Sequence, residues 1–249
     1  MRYRFATNIG LKREENQDAV RCEYYGHNLL AVVCDGMGGE RAGKEASEMA
    51  IEEFFQRFSA GYSEYLSDED IRKLLIASVS AANSVIYTKA RMDFKNFGMG
   101  TTCVAAYVNE NTAFIVNVGD SRAYLITDTG VHRITTDHNV AFLLYEQGKI
   151  SEAEIELHPQ KHMLVRAVGV DKTVTADTFM LDYEDKISLL LCTDGLSGYC
   201  TDEEIYKVIK EADFDYVADE LINLALDKGG RDNVTVAVIS DQSRGKDNG

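Results

Sequence analysis

The chain has no tryptophan and a single proline, Pro159, among its 249 residues. No proline-rich linker divides it, and no internal repeat is found. Basic residues are also short: 26 lysines and arginines face 41 acids, for a formal charge of -15. That balance argues against general nucleic-acid binding, which needs basic patches against phosphate. Cysteine is sparse and unpatterned. Cys22, Cys34, Cys103, Cys192 and Cys200 form no CxxC pair and are odd in number. Free buried thiols in a reducing compartment are expected. No charged-then-apolar leader opens the sequence, and no apolar run approaches ~18 residues, so neither secretion nor a membrane span is expected. The expected setting is the cytoplasm.

What is present is an ordinary globular composition, 45% hydrophobic, enough for one sizeable core. One domain is expected over residues 1–240, with a polar tail at 241–249. Residues 42–58 and 67–92 repeat apolar positions at helical spacing, and Ser67 and Asp70 have capping-box spacing. The period then changes to two. Residues 101–108, 112–118, 122–127 and 131–134 read as strands with short links, which predicts a β-meander. Residues 139–161 read as a helical insertion, 188–192 as a strand, 201–204 as the cap of a helix, 216–228 as another helix, and 233–239 as the last strand. Helices and antiparallel strands in this order predict sheets with helices packed outside.

Four acids stand at strand ends beside glycine or tight turns. Asp35 follows LLAVVC, Asp120 follows AFIVNVG, Asp194 follows SLLLCT, and Asp232 precedes NVTVAVI. Any one alone is a turn former. Four together point to a shared cleft, where like charges repel unless divalent cations neutralise them. Carboxylate sites select hard ions, Mg²⁺ or Mn²⁺. Two such ions about 3.5–4 Å apart can present a water for in-line attack on phosphorus.

Eight short stretches occur in order: Arg13 with Glu15-Asn16-Gln17-Asp18; Asp35-Gly36-Met37-Gly38-Gly39; Gly100-Thr101-Thr102; Val118-Gly119-Asp120-Ser121-Arg122; Thr136-Asp137-His138; Val165-Arg166-Ala167-Val168-Gly169; Thr193-Asp194-Gly195-Leu196; and Gly230-Arg231-Asp232-Asn233-Val234-Thr235. Over residues 7–239 the chain resembles the metal-dependent protein phosphatases, the PPM or phosphatase 2C-like family, in a compact bacterial form. The resemblance implies an α+β fold, a four-layer α-β-β-α sandwich with two central antiparallel sheets, flanking helices and a helical flap at about 139–161. It implies a serine/threonine phosphatase acting on phosphoproteins through two Mn²⁺ or Mg²⁺ ions with room for a third.

 That is, it implies hydrolysis of phosphoserine and phosphothreonine in proteins by direct attack of a metal-activated water, with no phosphoenzyme. The residue matching Asp35 bridges two metals, that matching Gly36 ligates through its carbonyl, and those matching Asp194 and Asp232 hold the second metal. Asp120, with Asp194, matches the ligands of a third. Asp18 matches the residue that holds a metal-bound water, and Arg13 the one that binds substrate phosphate, which suits its fork geometry. The partners implied are phosphoprotein substrates and a cognate bacterial serine/threonine kinase, with no nucleic acid, no membrane and a monomeric state.

The sequence departs from the family at three places. Met37 stands where many eukaryotic members carry a histidine that is a proposed general acid, and methionine donates no proton. Glu40 and Asn117 also replace histidines found in many bacterial members. A rival reading is a P-loop, because Gly38 to Lys44 fits GxxxxGK. Glu45 then stands where a serine or threonine should ligate Mg²⁺, so Lys44 is expected at the surface. Asp213-Phe214-Asp215 fits an aspartyl-phosphate pattern but falls between helices. His138 is expected as a turn or cap residue, His158 and His162 at the surface, Arg122 and Arg166 paired with acids, and Tyr62 and Tyr65 over the join of the first two helices.

Overall fold

Two antiparallel sheets form the centre of the computed structural model, which describes residues 1–39, 42–92, 94–182 and 188–240. The first sheet runs in spatial order β1 (Arg2–Asn8), β11 (Val234–Ser240), β10 (Ser188–Cys192), β7 (Arg122–Ile126) and β8 (Val131–Arg133). The second runs β2 (Asp18–Tyr25), β3 (Asn28–Met37), β5 (Cys103–Val108), β6 (Thr112–Val118) and β9 (Asp177–Asp182), and the short β4 (Gly100–Thr101) pairs with the end of β3. Helices α1 (Ala42–Gly61) and α2 (Asp68–Met92) cover the second sheet, and α6 (Asp202–Glu211) and α7 (Val217–Asp227) cover the first. The expected four-layer α-β-β-α sandwich is what the chain forms.

Strand β3 shows why. It is covered on both faces, so its sequence is continuously apolar rather than alternating. Leu30, Val32 and Cys34 pack with Phe54, Phe58 and Leu75 of the helices. Leu29, Ala31 and Val33 pack with Leu189, Leu191, Ala237 and Ile239 of the other sheet. Both helix signals hold: the Thr201 hydroxyl accepts from the Glu204 amide at 3.3 Å while Glu204 accepts from the Thr201 amide at 3.0 Å. The Ser67 hydroxyl accepts from the Asp70 amide at 3.3 Å.

The meander is corrected. Strands β5 and β6 pair in one sheet and β7 and β8 in the other. The three-residue link Gly119-Asp120-Ser121 is therefore no hairpin but a crossing between sheets. Gly119 has φ +104 and packs on Thr102. Its amide donates to His138 Nδ1 at 3.0 Å, and its carbonyl accepts from the His138 amide at 3.1 Å. The turn is thus held by tertiary partners, His138 among them. Strand β9, on the edge of the second sheet beside β6, was not expected from the sequence. Tyr62 packs against Tyr25 and Phe58, but Tyr65 is 95% exposed and covers nothing.

The insertion contains two short helices, α3 (Val140–Glu146) and α4 (Glu152–Ile155), capped by Asn139 and Ser151, and a one-turn α5 (Asp194–Ser197) follows β10. The 241–249 tail, Glu40 and Arg41 lie outside the described residues.

Candidate active site

The acid-bearing strand ends meet. Asp35, Gly36, Asp120, Asp194, Asp232 and Arg13 all line one cleft of about 1090 Å³ at one end of the sandwich. The second sheet supplies Asp35 and Gly36 from the end of β3. The first supplies Asp194, just beyond β10, and Asp232, just before β11. Asp120 enters on the crossing between sheets. Asp18 lies directly opposite Asp35 in the β2–β3 register and is 8% exposed.

Buried hydroxyls fix these acids. Thr102 Oγ1 accepts from the Asp35 amide at 2.8 Å and shares a hydrogen bond with Ser121 at 2.6 Å, tying β3 to the Asp120 turn. Thr193 Oγ1 donates to Asp18 Oδ2 at 2.9 Å and accepts from the Thr235 amide at 3.0 Å. The Asn233 side chain donates to the carbonyls of Ile9 and Glu15 at 2.9 and 3.0 Å and accepts from the Gln17 amide at 2.8 Å. It thereby pins the loop that carries Arg13. Gly36 is required by space: a Cβ there would lie 2.0 Å from the Gly43 carbonyl oxygen.

The electrostatics are those of a cluster short of positive charge. Burial, then the charges of Asp18, Asp194, Asp120 and Asp232, hold the Asp35 carboxyl well above its usual range. Burial and Asp194 do the same to Asp120. Burial pushes Asp18 up to about 7, against the hydrogen bonds of Thr235 and Thr193. Arg13 donates to Asp232 Oδ2 at 2.7 Å, and that hydrogen bond raises its pKa.

The donor set fits hard cations. Asp18 Oδ1 and Asp194 Oδ1 are buried without a hydrogen-bond partner among the described residues, a costly state for carboxylate oxygens. Among the described residues no three His, Cys, Asp or Glu side chains form a ready-made cage. Ions of the Mg²⁺ type keep several waters and need only one or two carboxylates each, so a sparse set suits them.

Sequence reasoning put His162 at the surface, where it lies, but missed its place in the cleft. It lines the cleft, with Nδ1 3.3 Å from Asp194 Oδ2, and that contact raises its pKa. It also missed the supports Thr102, Thr193 and Asn233. Thr193 and Asn233 adjoin Asp194 and Asp232 in sequence and Thr102 lies in the Gly100-Thr101-Thr102 stretch, which was the available signal. Met37 lines the cleft as well. Arg122 and Arg166 pair with Asp137 and Asp177 at 2.7 and 2.6 Å, as expected. Lys44 is half-exposed, 3.9 Å from Glu15.

Two facing sheets present carboxylates to one polar cleft, an arrangement that suits a metal-dependent hydrolase. The chain matches the protein phosphatase 2C family model over residues 12–235. It is 36% identical to the serine/threonine phosphatase stp of Listeria monocytogenes over 246 residues, covering 96% of this chain and 95% of that one. The crystal structure of the serine/threonine phosphatase Stp1 from Staphylococcus aureus superposes with a TM-score of 0.89 at 36% identity, covering 96% of this chain and 94% of that one. The catalytic domain of the phosphatase PstP, solved in complex with two manganese ions, gives 0.80 at 32% identity, covering 96% and 98%. The chain belongs to the protein phosphatase 2C family and is a protein phosphatase.

Proposed function

We propose that this phosphatase hydrolyses phosphoserine and phosphothreonine in proteins by direct attack of water on phosphorus, without a phosphoenzyme. The observation that carries the reading is the convergence of Asp35, Asp120, Asp194 and Asp232 on one cleft, with Asp18 Oδ1 and Asp194 Oδ1 unpartnered among the described residues. Asp35, the Gly36 carbonyl, Asp194 and Asp232 would hold two ions, and Asp120 with Asp194 a third. Mn²⁺ or Mg²⁺, when bound, supplies the positive charge that makes water a nucleophile at neutral pH and steadies charge on the phosphoryl group.

The chain's own groups do the rest. Asp18, fixed through Thr193, keeps one oxygen free to accept a hydrogen bond from the attacking water. Arg13 exchanges Asp232 for the phosphate oxygens, which its planar fork binds in pairs. Met37 has no proton to give, so the departing serine or threonine oxygen takes its proton from water. The substrates are phosphoproteins, and the opposing enzyme is a serine/threonine kinase. No described helix is long and apolar enough to cross a membrane; we assign the enzyme a cytoplasmic setting and a monomeric state.

The test is phosphate release from a phosphothreonine peptide with Mn²⁺ and with EDTA. Turnover requires the metal, and Asp35→Ala and Asp232→Ala abolish it. Arg13→Ala chiefly raises KM. Wild-type activity in Asp35→Ala, or a trapped phosphoenzyme, refutes the mechanism.

A further inference from the structure

Among the described residues, three cations line one edge of the cleft, with Glu14 and Glu15 on the same loop. Lys12 and Arg231 are exposed and line the cleft beside Arg13. Arg13 is committed to Asp232, but neither Lys12 nor Arg231 forms an ion pair with a described residue. The two loops that carry them are stitched together. The Leu11 amide donates to the Gly230 carbonyl at 2.7 Å, and Asn233 holds the carbonyls of Ile9 and Glu15. Gly230 has φ +48 and packs against Leu11, and Gly10 lies against the Asp232 carbonyl. The edge is therefore set in place before substrate arrives. Tyr199, also in the cleft, lies within the field of both Arg231 and Arg13.

An overall charge of -15 repels an acidic phosphopeptide at long range. Two cations that form no ion pair with a described residue, carried on loops hydrogen-bonded to each other, act in the opposite sense at contact. Resting on the phosphatase reading, we propose that Lys12 and Arg231 determine substrate choice: they bind carboxylates flanking the phosphorylated residue, so acidic phosphopeptides are the preferred class.

The test compares phosphothreonine peptides with acidic, neutral and basic flanks on the Mn²⁺-loaded enzyme at low salt. Wild type shows the highest kcat/KM on the acidic peptide. In Lys12→Ala/Arg231→Ala the ratio of acidic to neutral kcat/KM falls roughly fivefold, the effect of losing two exposed ion pairs, and Arg231→Glu turns the preference toward the basic peptide. The wild-type ratio falls as salt is raised. Arg13→Ala lowers kcat/KM on every peptide and keeps the ratio. Equal turnover of the three peptides, or a preference that survives the double substitution, overturns this inference and leaves the phosphatase reading standing. Failure to turn over any peptide overturns the reading beneath it as well.

Discussion

Asp18 gives the sharpest physical test of the acidic cleft. It is buried, one of its oxygens has no hydrogen-bond partner among the described residues, and its pKa rises from an ordinary 3.8 to about 7. A carboxyl raised in the folded state opposes folding once it ionises. Below pH 3.8 the acid is neutral in both states and costs nothing. Between 3.8 and about 7 the unfolded chain loses the proton first, and the penalty grows. Above about 7 it is complete. At roughly 1.4 kcal/mol per pH unit the penalty is at most about 4 kcal/mol. Asp18→Asn removes the charge and keeps an acceptor for Thr193. In EDTA at pH 8 the variant gains stability in urea unfolding, toward that ceiling, and at pH 4 the gain is near zero. With Mn²⁺ the gain shrinks, because bound cations already offset the charge. A variant no more stable than wild type at pH 8 in EDTA, or one equally stabilised at pH 4, refutes the electrostatic argument.

Other consequences follow from the same geometry. Mn²⁺ at about a hundred times its Kd adds roughly 2.7 kcal/mol, a rise of roughly 5–10 °C in Tm for a chain of this size; calorimetry should show it, and Asp35→Ala should lose it. At Gly195 a Cβ would lie 1.8 Å from the Asn233 carbonyl oxygen. Gly195→Ala therefore costs about 3 kcal/mol or more, read as a lowered urea midpoint, and an unchanged midpoint contradicts that packing. The five cysteines are free and buried, and burial pushes Cys22 and Cys192 up to about 12. A thiol reagent finds none in the native protein and five in denaturant.

The acids of the site were legible because their signal is local: a carboxylate at the end of an apolar strand, beside glycine or a tight turn. The layered fold was legible from the change of period between residues 92 and 101. The crossing at Gly119 was not. A three-residue link with a glycine reads as a hairpin, and only Thr102 and His138, brought in from elsewhere against Ser121 and Gly119, decide otherwise. Strand β9 lies on an edge, and its burial comes from pairing with β6, which its own residues do not announce. His162 stands 32 residues from Asp194. No spacing rule links them, so its place in the cleft is a tertiary fact.

The crossing also decides how the cleft is gauged. Asp35 hangs from one sheet, Asp194 and Asp232 border the other, and Asp120 rides the link between them. The gap they share is a seam whose width is set by the side chains wedged between the sheets, Ile115 and Leu189 among them. Those residues touch no ligand, yet they serve as shims. Trimming one lets the two halves settle and alters the spacing of carboxylates that it never meets.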